Sequence, residues 1–209
     1  MRIAVLVYGR LNKCAEHYNN IMEHIGKQHT IDFFASSDNS SQSLLNDFIR
    51  LYKPISYNND SIYYTCDLTK YLNRRIEITD DVLDKLTRHY INKGRVFSLL
   101  ETYLLNNTTQ YDIVLSLRID CVYYNSFDFK TLEDNTIYIP VNNDYGGIND
   151  QIAYGKIDVM KKYNSIFSKI LFFLDNNISE PHSECLHYAN INYCKLIIKR
   201  INLYYYLDR

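Results

Sequence analysis

Tryptophan is absent from the chain, and no apolar run comes near membrane-spanning length; the stretch at 170–174 is far too short. The amino end, 1–7, is a strand-length apolar run without a small-residue cleavage site, so it reads as a first core strand and not a signal peptide. Neither sign of charge dominates. With 23 basic and 24 acidic residues the net charge is −1, which removes the electrostatic case for a nucleic-acid partner. Cysteines 14, 66, 121, 185 and 194 are odd in number and lack CxxC spacing. That argues against a disulfide framework and a zinc knuckle and fits a reducing compartment, with the cytoplasm as the expected location. No GxxxxGK[ST] loop follows the first strand, which argues against a P-loop kinase or sulfotransferase. The 21 tyrosines, with abundant Asn and Ile, suggest an AT-rich coding sequence.

What the chain does have is organised around residues 111–120, Tyr-Asp-Ile-Val-Leu-Ser-Leu-Arg-Ile-Asp. A near-continuous Ile/Val/Leu run predicts a strand covered on both faces of a helix-flanked sheet. Arg118 and Asp120 stand where that strand runs out, at the edge where open α/β sheets bind ligands. Upstream, strands are expected at 3–8, 30–35 and 55–57. The helix between the first two carries Cys14, Tyr18, Ile21 and Ile25 and closes at Gly26. The next, capped by Ser40 or Ser41, carries Leu44, Leu45, Phe48 and Tyr52 before Pro54 stops it. This alternation predicts a parallel sheet with right-handed crossovers.

The polar stretch 58–78 reads as a loop over the sheet edge. A helix is predicted from Thr79, with Asp80 and Asp81 in its first turn. Asn92-Lys93-Gly94 is expected to break it, and a second helix runs from Arg95 to 106–107. Beyond the central strand, 121–124 reads as a continuing or edge strand, 137–140 as a strand and 152–155 as extended chain. A helix follows through Met160 to Leu174, another spans 183–190, and a last strand covers 203–207. No repeat and no interior linker marks a boundary, so 209 residues fit one domain.

Four groups of residues can carry chemistry. Arg118 and Asp120, two apart on a strand, leave the sheet on the same side. Asp120 suits a hard divalent cation holding a diphosphate, and Arg118 suits the substrate; the plainer reading is a structural ion pair, and both stay open. In Gly146-Gly147-Ile148-Asn149-Asp150-Gln151, Gly147 permits close approach of a ligand. Asn149, Asp150 and Gln151 suit sugar hydroxyls, and Asp150 can also deprotonate one; an ordinary turn is the alternative. In Glu180-Pro181-His182-Ser183-Glu184, His182 is a candidate metal ligand and Glu184 an acceptor contact, against a helix start capped by Ser183. Gly9 and Arg10, after the first strand, and Arg95, near an expected helix start, are candidates for nucleotide or phosphate. His17, His24, His29, His89 and His187 form no ligand spacing.

The central run, the later Ile-Tyr-Ile-Pro, and Gly-Gly-Ile-Asn-Asp-Gln-Ile-Ala-Tyr-Gly with its Met-x-x-Tyr helix resemble small GT-A glycosyltransferases. Such enzymes are encoded by large DNA viruses and by bacterial surface-polysaccharide clusters. A later Ser-Glu-Cys-Leu and the terminal Tyr-Tyr-Leu-Asp-Arg also resemble that pattern; the likeness spans about residues 3 to 209 and is most specific over 111–155. It implies an α/β, GT-A-like fold with a Rossmann-type, mostly parallel sheet. A nucleotide-binding part would cover about 1–124 and an acceptor-side part about 125–209. It further implies a hexosyl- or deoxyhexosyltransferase with a nucleotide-sugar donor, often UDP-linked, a glycan or glycoprotein acceptor, and Mn²⁺ or Mg²⁺ on the diphosphate. Asp120 matches the last Asp of the DxD metal motif, and Asp150 the acidic residue near donor sugar and acceptor. The first DxD position holds Arg118 instead. A non-catalytic nucleotide- or glycan-binding module of degenerate GT-A fold is the alternative.

Overall fold

The computed structural model describes residues 1–63, 66–74, 79–129 and 132–208. Parts of the 58–78 stretch and Arg209 therefore lie outside the described residues. The first half follows the predicted alternation. Strand β1 (Arg2–Tyr8) leads to helix α1 (Cys14–Ile25), β2 (Thr30–Ser36), α2 (Gln42–Tyr52) and β3 (Ser56–Asn58). Ser41 caps α2, its side chain accepting the Leu44 amide, and Gly26 ends α1 at φ +100°.

The predicted helix break at 92–94 does not occur. Helix α3 (Asp80–Asn106) runs for 27 residues, capped by Thr79, whose side chain accepts the Val82 amide. Its buried stripe, Leu83, Leu86, Thr87, Tyr90, Lys93, Val96, Phe97 and Leu100, keeps helical spacing straight through the expected breaker. Gly94 costs an α-helix roughly 1 kcal/mol relative to alanine, and tertiary packing of this length of helix outweighs it.

Strand β4 (Ile113–Leu117) is buried at every residue, as the central run predicts. It is followed by β5 (Cys121–Tyr123), β6 (Thr136–Pro140), β7 (Ile152–Gly155), α4 (Ile157–Asn164), α5 (Ile170–Asp175), α6 (Ser183–Tyr193), β8 (Ile197–Ile201) and β9 (Tyr205–Leu207). The single helix expected through 160–174 is divided into α4 and α5 by a short 3₁₀ turn at Phe167–Lys169. Strand β8 has no counterpart in the sequence-based expectation. It is an edge strand whose Lys199 and Arg200 interrupt the apolar run, a common way of protecting an edge.

The seven-stranded sheet has the order β3-β2-β1-β4-β7-β6-β8. Strands β3, β2, β1 and β4 are mutually parallel; β7 is antiparallel to both neighbours; β8 returns parallel to β6. The sheet is thus mostly parallel, with helices on both faces. Ile3, Val5 and Val7 of β1 point to the core shared with α1 and α2, while Ala4, Leu6 and Tyr8 point to the core shared with α3, α4 and α6. The stretch expected as a continuing or edge strand, β5, instead forms a separate antiparallel ribbon with β9. That pairing returns the tail to the end of β4, where the Asp208 amide donates to the Asp120 carbonyl at 2.9 Å. Among the described residues no helix is long and apolar enough to cross a membrane.

Candidate functional site

The carboxyl ends of the parallel strands open onto a cavity of about 510 Å³. Tyr8 and Gly9 (end of β1), Asp38 (after β2), Arg88 and His89 (α3), and Arg118 and Asp120 (after β4) line it, with Arg10 and Asp208. A second cavity of about 560 Å³ shares Arg10, Asn12, Asp38 and Arg88 with it and extends towards Ser40 and Ser61. Four predicted site residues, Gly9, Arg10, Arg118 and Asp120, therefore meet at one edge. Gly9 takes φ +91° while its amide donates to the Ser36 carbonyl at 3.0 Å, a turn that a side chain would strain. Asp38 receives the Ile62 amide at 2.8 Å and Arg88 at 2.7 Å, which fixes the cavity wall between β2 and α3.

Arg118 and Asp120 do leave the strand together, and they bind one another. Nε donates to Oδ1 at 3.0 Å and a terminal nitrogen to Oδ2 at 2.6 Å, a bidentate pair. Burial would lower the Arg118 affinity for its proton, but Asp120 outweighs it, so the guanidinium is charged. The neighbouring Asp208 carboxylate faces His17 Nε2 at 3.1 Å, and its pKa is lowered chiefly by that contact, with Lys13 adding to it. Among the described residues, one group of ligand-type side chains is close enough to hold a metal: Glu16, His17 and Asp208. Lys13 Nζ stands 3.2 Å from Glu16 and 3.5 Å from Asp208, so an ammonium already occupies the place of a cation there.

A second polar assembly lies behind the cleft, and its basic members carry no signature in the sequence. Lys93, wholly buried, donates to the Asp150 carbonyl at 3.0 Å, meets His187 Nε2 at 2.9 Å and donates to the Tyr163 hydroxyl at 3.3 Å. The Tyr8 and Tyr163 rings flank its ammonium at 4.6 and 4.4 Å. Burial pulls the Lys93 pKa down to about 7, with Asp150 resisting. Burial also keeps His187 neutral, well below the usual imidazole range. Its Nδ1 faces the Ser183 carbonyl at 3.1 Å, so Nδ1 carries the hydrogen and Nε2 accepts from Lys93.

Asp150 is buried among these groups, and Ser183 donates to its Oδ2. Burial alone would raise this carboxyl. The imidazoles of His89 and His187, the Lys93 ammonium and the Ser183 hydroxyl outweigh it and hold the pKa at about 2. Ser183, expected as a helix cap, thus serves Asp150, and His182 is the residue at the N-cap position of α6. His89 Nε2 lies 3.6 Å from Asp150 Oδ2, and burial lowers the His89 pKa to about 3.

The other predicted contacts are placed differently. The Asn149 amide donates to the Asn142 carbonyl and the Tyr205 hydroxyl, both at 2.7 Å, and its Oδ1 accepts the Gln151 amide at 3.0 Å. Gln151 Oε1 accepts from Tyr205 at 2.8 Å. Both side chains are buried and engaged with protein, so they build the loop. The close approach that Gly147 permits is to α6: an added Cβ would stand 2.2 Å from the Glu184 backbone. Glu184 pairs with His182 at 2.9 Å, and neither lines the cavity that Asp120 borders. Arg95 lies in the middle of α3, so the helix-start argument for an anion no longer holds; it donates to the Asp60 carbonyl at 3.0 Å. His89 and His187, lacking ligand spacing, converge because α3 and α6 pack beside the same loop. Only a contact prediction joining the two helices would have found them.

No protein-family model and no curated protein matches the sequence. Among solved structures, the chain is similar to the galactosyltransferase LgtC, determined in complex with donor and acceptor sugar analogues. The match covers 95% of this chain and 73% of that one, at 11% identity and a TM-score of 0.53. The chain therefore has a GT-A-type fold: an α/β architecture with a mostly parallel, helix-flanked sheet, as the sequence resemblance implies.

Proposed function

We propose that this chain is a glycosyltransferase that moves a sugar, UDP-linked in the donor, to a hydroxyl of a glycan or glycoprotein acceptor. The observation that carries the reading is the convergence of Gly9, Arg10, Arg118 and Asp120 on one cavity at the carboxyl ends of parallel strands. Arg10 and Arg118 supply positive charge to a diphosphate, and the Gly9 turn lets the backbone come close to it. The transfer needs the departing diphosphate to be stabilised as the glycosidic bond breaks, and cations fixed in a partly enclosed cleft do this electrostatically.

A divalent cation fits the donor set only if Asp120 gives up Arg118 and Asp208 gives up His17 and Lys13. Asp120 and Asp208 both border the cavity, and a hard ion of the Mg²⁺ or Mn²⁺ type takes one or two carboxylates when phosphate oxygens complete its shell. When bound, it would neutralise charge on the diphosphate. His182, engaged with Glu184, does not belong to that set. Asp120 would hold the cation by releasing Arg118, and Arg118 would then be free to reach a phosphate. A metal-indifferent binding module is the competing reading, favoured by the occupation of both Asp120 oxygens.

Titration calorimetry with UDP-hexoses, with and without Mn²⁺, separates the two. The enzyme reading expects metal-enhanced binding that Asp120→Ala abolishes, with slow release of UDP. Metal-indifferent binding without cleavage supports the module. Failure of every UDP-hexose to bind or to raise the unfolding temperature removes the nucleotide-sugar assignment.

A further inference from the structure

The geometry points to His89 as the base that takes the proton of the acceptor hydroxyl, with Asp150 as the residue that positions it. The inference rests on the glycosyltransferase reading and deepens it, because it relocates the proton acceptor from the carboxylate to the imidazole in front of it. Asp150 is buried and does not line the cavity; His89 does, and its side chain keeps 17% of its surface exposed.

The two nitrogens of His89 have different surroundings. Nε2 is buried, has no hydrogen-bond partner and lies 3.6 Å from Asp150 Oδ2. An ionised carboxylate only accepts, so the proton of the neutral ring belongs on Nε2, aimed at Asp150. Nδ1 is then the atom left with a lone pair. Among the described residues it has no hydrogen-bond partner, and unlike Nε2 it is not sealed from solvent, so it is the nitrogen open to the cleft.

A buried, unpartnered donor costs roughly 1–3 kcal/mol, which makes the gap to Asp150 an unusual feature to keep. Contacts of this kind are commonly long before substrate binds and tighten in the reacting complex. The support behind Asp150 is extensive. Ser183 fixes its carboxylate, Lys93 and Tyr8 hold its carbonyl, and Gly147 seats its loop against α6.

In the step itself, the acceptor oxygen forms a bond to the anomeric carbon while that carbon's bond to phosphate breaks. The electron pair leaves with the nucleoside diphosphate. The hydroxyl proton passes to His89 Nδ1, and the imidazolium is stabilised by Asp150 through Nε2–H. The groups facing the ring are Asp150 from the loop before β7, Lys93 and Tyr90 from α3, Arg118 after β4, Tyr8 from β1 and His187 from α6. Lys93 and Arg118 oppose protonation of the resting ring and Asp150 favours it. An incoming diphosphate adds negative charge and raises its proton affinity when the substrate is in place.

The test uses the full chain with UDP-hexoses and water as acceptor, read by UDP release, together with long-range ¹H–¹⁵N spectra of its histidines. Expected are a His89 signal of the Nε2–H tautomer and a kcat about 100-fold lower in His89→Ala at unchanged donor KM, partly restored by added imidazole. In Asp150→Asn the acid limb of the pH–rate profile should move. His89→Gln, which preserves bulk, should fold and remain as slow as His89→Ala. A proton on Nδ1 of the wild-type ring, or a wild-type kcat in both His89 variants, overturns the base while leaving the glycosyltransferase intact. Retention of anomeric configuration in the product does the same. If no UDP-hexose is bound or cleaved by the wild-type chain, the glycosyltransferase reading fails first and the base falls with it.

Discussion

The cleft and the assembly behind it hold charge in opposite ways. At the rim, Arg118 and Asp120 are partly exposed, neutralise one another directly and are free to exchange partners with a ligand. Behind the rim, Lys93, His187 and Asp150 are buried, and their contacts are with protein groups already in place. The first arrangement suits binding, because water and substrate can replace what is lost. The second suits geometry: an uncompensated charge there has nowhere to go, so the network fixes one loop position. His89 belongs to both, with one face on the cleft and the other on Asp150.

The sharpest way to break that contrast is to remove the buried cation. Lys93→Ala deletes a side chain packed between two rings, strands His187 Nε2 and the Tyr163 hydroxyl, and leaves the Asp150 carbonyl with Tyr8 alone. It should cost about 3–5 kcal/mol in urea unfolding. Lys93→Met, which keeps most of the volume, should cost clearly less. Equal losses in the two variants would mean that the polar contacts, which both remove, and not the packing, are what Lys93 contributes.

Next in size is Gly147→Ala. The new methyl group would meet the backbone of Glu184 and Cys185, which cannot rotate away. A loss of about 1–3 kcal/mol is expected from overpacking. Amide exchange should accelerate in the loop carrying Asn149 and Asp150 before it does so in β1 or β4. Uniform acceleration would show that the loop is not fastened at this glycine.

The pH dependence of stability follows from the same buried groups. Lys93 has its folded pKa lowered to about 7 from 10.5, and His89 has its own lowered to about 3 from 6.5. In each window the unfolded chain binds the proton that the folded protein refuses, so stability rises with pH through both. Acidification below 6.5 should therefore weaken the fold as His89 is forced towards protonation. Asp150 adds to this only at lower pH, where its stabilisation is lost as the pH falls from 3.8 through about 2. Chemical unfolding across a pH series should show the alkaline rise in the wild type and a flatter profile in Lys93→Met. An unchanged slope in that variant would assign the rise to other groups.

The parallel half of the fold was legible because its signals are local. Apolar runs, Ser41, Thr79 and Gly26 each act within a turn or two of their own position. What was not legible depends on partners distant in sequence. Lys93 looks like a helix breaker beside Asn92 and Gly94, yet it lies in the buried stripe because residues 57 and 94 positions away receive its protons. Strand β8 was hidden because an edge strand tolerates the charges that a central strand excludes. The place of Gly9, Arg10, Arg118 and Asp120 at the rim could be anticipated since each lies within three residues of a strand's carboxyl end. For Asn149 and Gln151 the two sequence readings stayed open because side chains suited to a sugar's hydroxyls are equally suited to Tyr205 and a loop backbone, which are their partners here.

The smallest effect separates two arginines that the sequence treats alike. Arg10 follows β1 and lines both cavities, whereas Arg95 is mid-helix and ties down the Asp60 carbonyl. A phosphate drawn to the strand ends would meet the first and not the second. Arg10→Ala should weaken UDP binding about tenfold, the loss of one charge-assisted contact. Arg95→Ala should leave UDP affinity within error of wild type and change stability by about 0.5 kcal/mol or less, as substitutions away from the core usually do. Calorimetric titration of UDP into both variants decides between them. A larger loss of affinity in Arg95→Ala would mean that the stretch after β3, held by Arg95, shapes the nucleotide site more than the β1 turn does. The binding edge would then have to be redrawn around α3 and that stretch.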